Sequence, residues 1–225
     1  MVRTHALFTH LTHRSTLPPI PKMAKIIGGI WIGTLILAIP RWPLSVIVGV
    51  FVPLTQALGF GLMVAIPVIT AGYAGLLATS EAARREFDLV RVSKLTRKAI
   101  VMDLYYATLY RLRGLYGALI AVLPALMISG LIKGYMTGRE AITSSGIMIL
   151  SVGIWFAFAA MLGAALGIYL SLRWPRHPLA LIGAPVLLIL FMWFGALTFV
   201  CPFYFAAPVM QTWLLDSAEE YTYRH

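Results

Sequence analysis

Four long stretches of this chain contain no Asp, Glu, Lys, Arg or His: residues 42–80, 114–132, 141–172 and 178–215. A run of roughly 20 apolar residues matches the thickness of a bilayer core, and in lipid a backbone satisfies its own polar groups only as a helix or a closed barrel. Of the 225 residues 60% are hydrophobic and 12% charged, which removes the chain from the soluble class. The fold class that follows is all-α, a polytopic integral membrane protein with five to six transmembrane helices and a cytoplasmic amphipathic helical segment.

Charge placement gives the expected topology. Residues 1–24 read as a basic cytoplasmic tail, 25–215 as a single transmembrane helical domain, and 216–225 as an acidic C-terminal tail. The apolar run Ile26 to Ile39 resembles the core of a signal peptide, but IPRWP follows it in place of a small-residue cleavage site, so it reads as a retained first span. The 36 apolar residues 44–79 are long for one helix and short for two. An even number of crossings must separate two cytoplasmic segments, which suggests a re-entrant element at 44–57 and a second crossing at 58–79.

Gly114 to Leu131 then crosses outward and Ser144 to Leu172 returns. As a helix, the latter rises about 43 Å and has to tilt or protrude. The connector RWPRHP, with Arg173, Arg176 and His177, is basic and placed inside. A further crossing runs from Leu179 to about Phe199, followed by a bent or interfacial element at 200–215 that is rich in aromatics. The acidic tail lies outside if five crossings precede it and inside if six do.

The same pattern excludes several functions. Proton relays and voltage sensors need ionisable groups at membrane depth, and these spans have none. Bis-histidine haem is excluded because His177 lies in a connector and the other histidines in the tails. His10 and His13 have a metal-compatible spacing, but no acid or cysteine lies near them and three prolines follow, so no metal is expected. Cys201 is the single cysteine and forms no internal disulfide. Ser144, Ser145 and Ser151 lack a general base, and no Walker loop is present. The net charge of +10 follows from positive-inside topology, so nucleic acid is not an expected partner. No cofactor and no catalytic site are expected.

The exception to the apolar pattern is 80–113, SEAARREFDLVRVSKLTRKAIVMDLYYATLYRLR. It holds eight of the eighteen Lys and Arg and four of the eight acids, Glu81, Glu86, Asp88 and Asp103. Apolar residues at mostly helical spacing separate these charges, as in an amphipathic helix lying along the membrane face and offering a surface to a partner. A membrane protein without an energy source that displays such a segment is suited to being driven or organised by another protein.

This stretch resembles the signature of the ABC type 2 permeases, the membrane halves of many ATP-binding-cassette exporters. Glu81 matches the acid at the cytoplasmic end of the second crossing. FDLVRV, from Phe87 to Val92, matches the leucine-rich segment. SKLT, from Ser93 to Thr96, occupies the turn, with Lys94 where the family usually has proline, and Asp103 stands near a usual glycine. MLGAALGIYLSLRWPRHPLA, from Met161 to Ala180, is a second and weaker match.

The resemblance implies a plasma-membrane permease subunit with a cytoplasmic N-terminus, gripped by an ATP-binding subunit at Glu81, Arg84, Phe87, Leu89, Arg91, Lys94 and Thr96. It also implies pairing with a second permease half, as a homo- or heterodimer. The glycines of GAALG, Gly163 and Gly167, suit close helix packing, between the halves or within one subunit. Gly29 and Gly33 form a further small-residue pair. A simpler role for the basic residues of the segment is holding it on anionic membrane lipid, at about 1 kcal/mol each near the surface. The alternative function is a non-transporting structural or anchoring subunit of a larger membrane complex, such as an energy-transducing assembly.

Overall fold

A computed structural model describes residues 20–38, 43, 46–79, 96–136, 142–174, 178–197 and 201–221. Within them are seven α-helices and no strand: α1 Ile20–Ala38, α2 Val52–Thr79, α3 Arg97–Arg111, α4 Arg113–Met136, α5 Ile142–Arg173, α6 Pro178–Leu197 and α7 Cys201–Tyr221. Three stretches among the described residues are long and apolar enough to cross a membrane, Gly49–Thr79, Arg113–Ile132 and Gly153–Arg173.

The described residues 46–79 depart from the expected re-entrant element at 44–57 and separate crossing at 58–79. A π-helical turn, Ile47–Phe51, runs directly into α2. The physical reason lies at Pro53, which has no N–H to continue an α-helical ladder. Immediately before it the turn widens, and Val52 N–H bonds to Ile47 O, five residues back. Thr55 Oγ then donates to Phe51 O at 2.8 Å, so the chain remains helical through a proline that reads in sequence as a break. Of the 200–215 stretch, the described residues 201–215 likewise lie in one helix, α7, with Pro208 inside it.

The helices form two contact clusters. Among the described residues the first unit holds 67–79, 96–112, 157–174, 178–197 and 201–221, and the second holds 20–38, 43, 46–66, 113–136 and 142–156. The boundaries fall inside α2 at Pro67, inside α5 at Ala157 and at Leu112, the one residue between α3 and α4. None of these places carries a linker signal, which is why the sequence reads as a single domain.

In the second unit α1 packs along α4, and the Trp31 ring meets Phe51 edge-on at 6.1 Å. Two α4 leucines fill spaces left by glycines on neighbouring helices. A methyl group on Gly59 of α2 would lie 2.5 Å from Leu126, and one on Gly153 of α5 would lie 2.7 Å from Leu123. The Gly29 and Gly33 pair does no such work, since nothing lies within 4 Å of where either side chain would begin.

In the first unit α5 is the axis, with every residue from Leu162 to Leu172 buried. Its small-residue face meets α2 at close range. A Cβ on Gly163 would lie 2.9 Å from Pro67 O, and one on Gly167 would press on Ala71 O and lie 2.9 Å from Ala74 Cβ. Both contacts advance in the same direction along the two helices, so α2 and α5 run parallel here. On α6 the order reverses, Leu188 facing Gly163 and Gly183 facing Leu170, as expected of an antiparallel hairpin.

Candidate functional site

The polar side chains of the first unit gather on α3 and on the C-terminal parts of α2, α5 and α7. Thr96 starts this region. Its backbone is extended, at φ −76° and ψ 149°, and its hydroxyl accepts from Ala99 N–H at 3.3 Å, making it the N-cap of α3. The hydroxyl that the resemblance assigns to a partner contact therefore already serves its own helix.

Along α3, Ile100, Val101, Leu104, Tyr105, Ala107 and Thr108 are buried, while Lys98, Tyr106 and Tyr110 are exposed. The helix is amphipathic, but its outward stripe is about one residue wide at a spacing of four. The described half of the polar interval is thus packed into its unit and offers little surface. Asp103 is buried with the apolar residues at 6% exposure, the one buried acid among those described.

Hydrogen bonds tie α3 to its neighbours. Gln211 Nε2 of α7 donates to Tyr105 Oη at 2.7 Å, and Arg111 of α3 donates to Tyr73 Oη of α2 at 2.9 Å. Lys98 Nζ lies 3.3 Å from Asp216 Oδ1 in a pair exposed at 65% and 64%, where solvent screens most of the attraction. The two α7 contacts run in opposite order along the chains, so α3 and α7 are antiparallel. At the end of α5, Arg173 donates to the Tyr169 hydroxyl and stands 5.1 Å from the Trp174 ring centroid, while Tyr169 contacts Trp213 of α7 at 6.1 Å.

Beside this polar end is an apolar cleft of about 260 Å³ lined by Leu162 and Leu166 of α5, Leu188 and Phe191 of α6, and Met210 and Leu214 of α7. Leu162, Leu188 and Leu214 form its buried floor, and Leu187 and Leu190 its exposed lip, at 47% and 50%.

Of the sequence-derived site residues, Glu81, Arg84, Phe87, Leu89, Arg91 and Lys94 lie outside the described residues, as do His10 and His13. Thr96 is placed at the start of α3, and Gly163 and Gly167 together on the α2–α5 contact. Sequence reasoning did not anticipate the burial of Asp103 or the cleft. The spacing of Asp103 from Ile100 and Ala107 was the available signal for the first, because residues three and four apart share a helix face. The cleft had none, since its lining consists of ordinary span residues. Among the described residues no group of three or more His, Cys, Asp or Glu is placed to hold a metal ion. Comparison of the chain with protein-family models, curated proteins and solved structures finds no match.

Proposed function

We propose that this chain is the membrane-spanning permease subunit of an ATP-binding-cassette exporter in the plasma membrane, paired with a second permease half and moved by a separate ATP-binding subunit that docks on the 80–113 segment, around Glu81 to Thr96. The observation that carries the reading is how that interval is tethered. It begins where α2 ends at Thr79 and finishes at the Thr96 cap of α3, which passes into α4 through Leu112 alone. Both α2 and α4 contain membrane-span candidates. A partner closing around Glu81 to Thr96 would hold the chain between two crossings, and closure driven by ATP would be delivered to both.

The sixth crossing and a cytoplasmic C-terminus belong to the same proposal. The three residues 198–200 cannot span the length of a 20-residue helix, and α6 and α7 share the cleft, so they form an antiparallel hairpin. The Lys98–Asp216 contact then sets the end of α7 beside the start of α3, on the side of the docking segment.

The test is co-purification of the full chain from its native membrane. A Walker-loop ATPase should accompany it and be lost on joint replacement of Glu81 and Arg91 by Ala. Enclosure of α3 favours the second reading, a structural subunit that anchors a larger assembly and moves nothing. Recovery of a redox or other unrelated assembly, retained in the double variant, would establish that reading in place of the first.

A further inference from the structure

We propose that the cleft between α5, α6 and α7 is a binding site for one anionic phospholipid, with an acyl chain between the helices and the phosphate at Arg173. The site is independent of the transport reading and requires only that α5 lie in a membrane. Leu162, Leu166, Tyr169 and Arg173 follow one another on α5 at spacings of four, three and four, which places them on a single helix face. The same strip therefore changes from apolar floor to aromatic collar to guanidinium.

The dimensions fit a lipid lying along one leaflet. From Leu162 to Arg173 the helix rises about 16 Å, close to half of a hydrocarbon core of about 30 Å. Arg173 ends the candidate span Gly153–Arg173, the depth at which a headgroup lies. The cleft, at about 260 Å³, is larger than the roughly 150 Å³ of an apolar cavity that accepts benzene, so a section of acyl chain can enter.

The collar has interfacial chemistry. Tyr169, Trp213 and Trp174 surround the Arg173 end, and aromatic residues of this kind concentrate at headgroup level. Arg173 is exposed there and presents a planar donor suited to phosphate. Asp216, Glu219 and Glu220, in the last turns of α7 beyond Trp213, are the acids that would oppose an anion, and Lys98 lies against Asp216 at 3.3 Å. The cleft walls add no polar group, so the acyl chain supplies the affinity and Arg173 the choice of headgroup.

Native mass spectrometry of the purified full chain, titrated in detergent with phosphatidylglycerol or phosphatidylcholine of identical acyl chains, tests this. One lipid should bind, phosphatidylglycerol about fivefold more tightly, the factor expected of one basic residue at the headgroup. Arg173→Gln should remove the preference and keep the binding. Leu187→Trp, which fills the cleft from its exposed lip, should remove the one-lipid complex with both lipids, and Leu190→Trp on the same lip should repeat the result if the first variant is poorly recovered. Equal affinity for the two lipids, a preference that survives Arg173→Gln, or a complex that survives both tryptophans would overturn the assignment and leave only annular lipid.

Discussion

Replacing Gly167 by Ala adds one methyl group at the closest approach of α5 and α2. The new Cβ would press on Ala71 O and stand 2.9 Å from Ala74 Cβ and 3.1 Å from Gly75 N. Carbon atoms rest at about 3.5–4.0 Å, so the helices would have to part by about 0.6–1 Å, enough to forfeit a quarter to a half of each neighbouring contact. Two of the three opposing atoms are backbone and cannot rotate aside. Overpacking of this kind costs about 1–3 kcal/mol, and Ala recovers up to about 1 kcal/mol in helix propensity.

The expected net loss for Gly167→Ala is about 1–2 kcal/mol, and Gly167→Leu should not fold. Gly61→Ala is the control, because nothing lies within 4 Å of its added methyl group, and it should be neutral or stabilising by up to about 1 kcal/mol. Denaturant titration in mixed micelles, followed by tryptophan fluorescence, separates the two. A Gly167→Ala protein as stable as Gly61→Ala would refute the close approach and with it the parallel packing of α2 and α5.

Three further outcomes follow from contacts described above. Thr96→Ala should destabilise α3 by about 1 kcal/mol and Thr96→Ser should restore it, read as hydrogen exchange at the first turn; equal loss in both variants would point to a role beyond capping. Tyr105→Phe removes the acceptor of Gln211 in a buried position and should cost about 1–2 kcal/mol in the same denaturant titration, with no change indicating that the bond contributes nothing. In a variant lacking Cys201, single cysteines at positions 98 and 216 should react with an impermeant maleimide from the same face of the membrane, and labelling from opposite faces would exclude the Lys98–Asp216 contact.

The extents of helices α4, α5 and α6 are legible to within a few residues because their ends coincide with charge or proline, Arg113, Arg173 and Pro178. Pro53 was misleading for a physical reason. A proline breaks the α-helical ladder, but one widened turn before it lets the chain continue, and sequence does not show in advance whether that turn forms. The α3 segment misled differently. Its charges and apolar residues alternate as on a surface helix, and whether such a helix lies on a bilayer or packs into protein is decided by neighbours such as Gln211 and Tyr73, distant in sequence. The spacing of Gly163 and Gly167 suits a close approach and leaves the approaching helix unnamed; in the structure α2 lies there.

The widened turn at Ile47–Phe51 also holds one residue more than an α-helical path over the same turn would. Removing a single residue there would leave the upstream helix in nearly the same rotational phase and close the ladder as ordinary α-helix, with the missing proton and the ring of Pro53 now inside it. Exchanges among Ile, Val and Phe in the turn should therefore pass, and a one-residue deletion should cost what a proline costs inside a helix, about 3 kcal/mol.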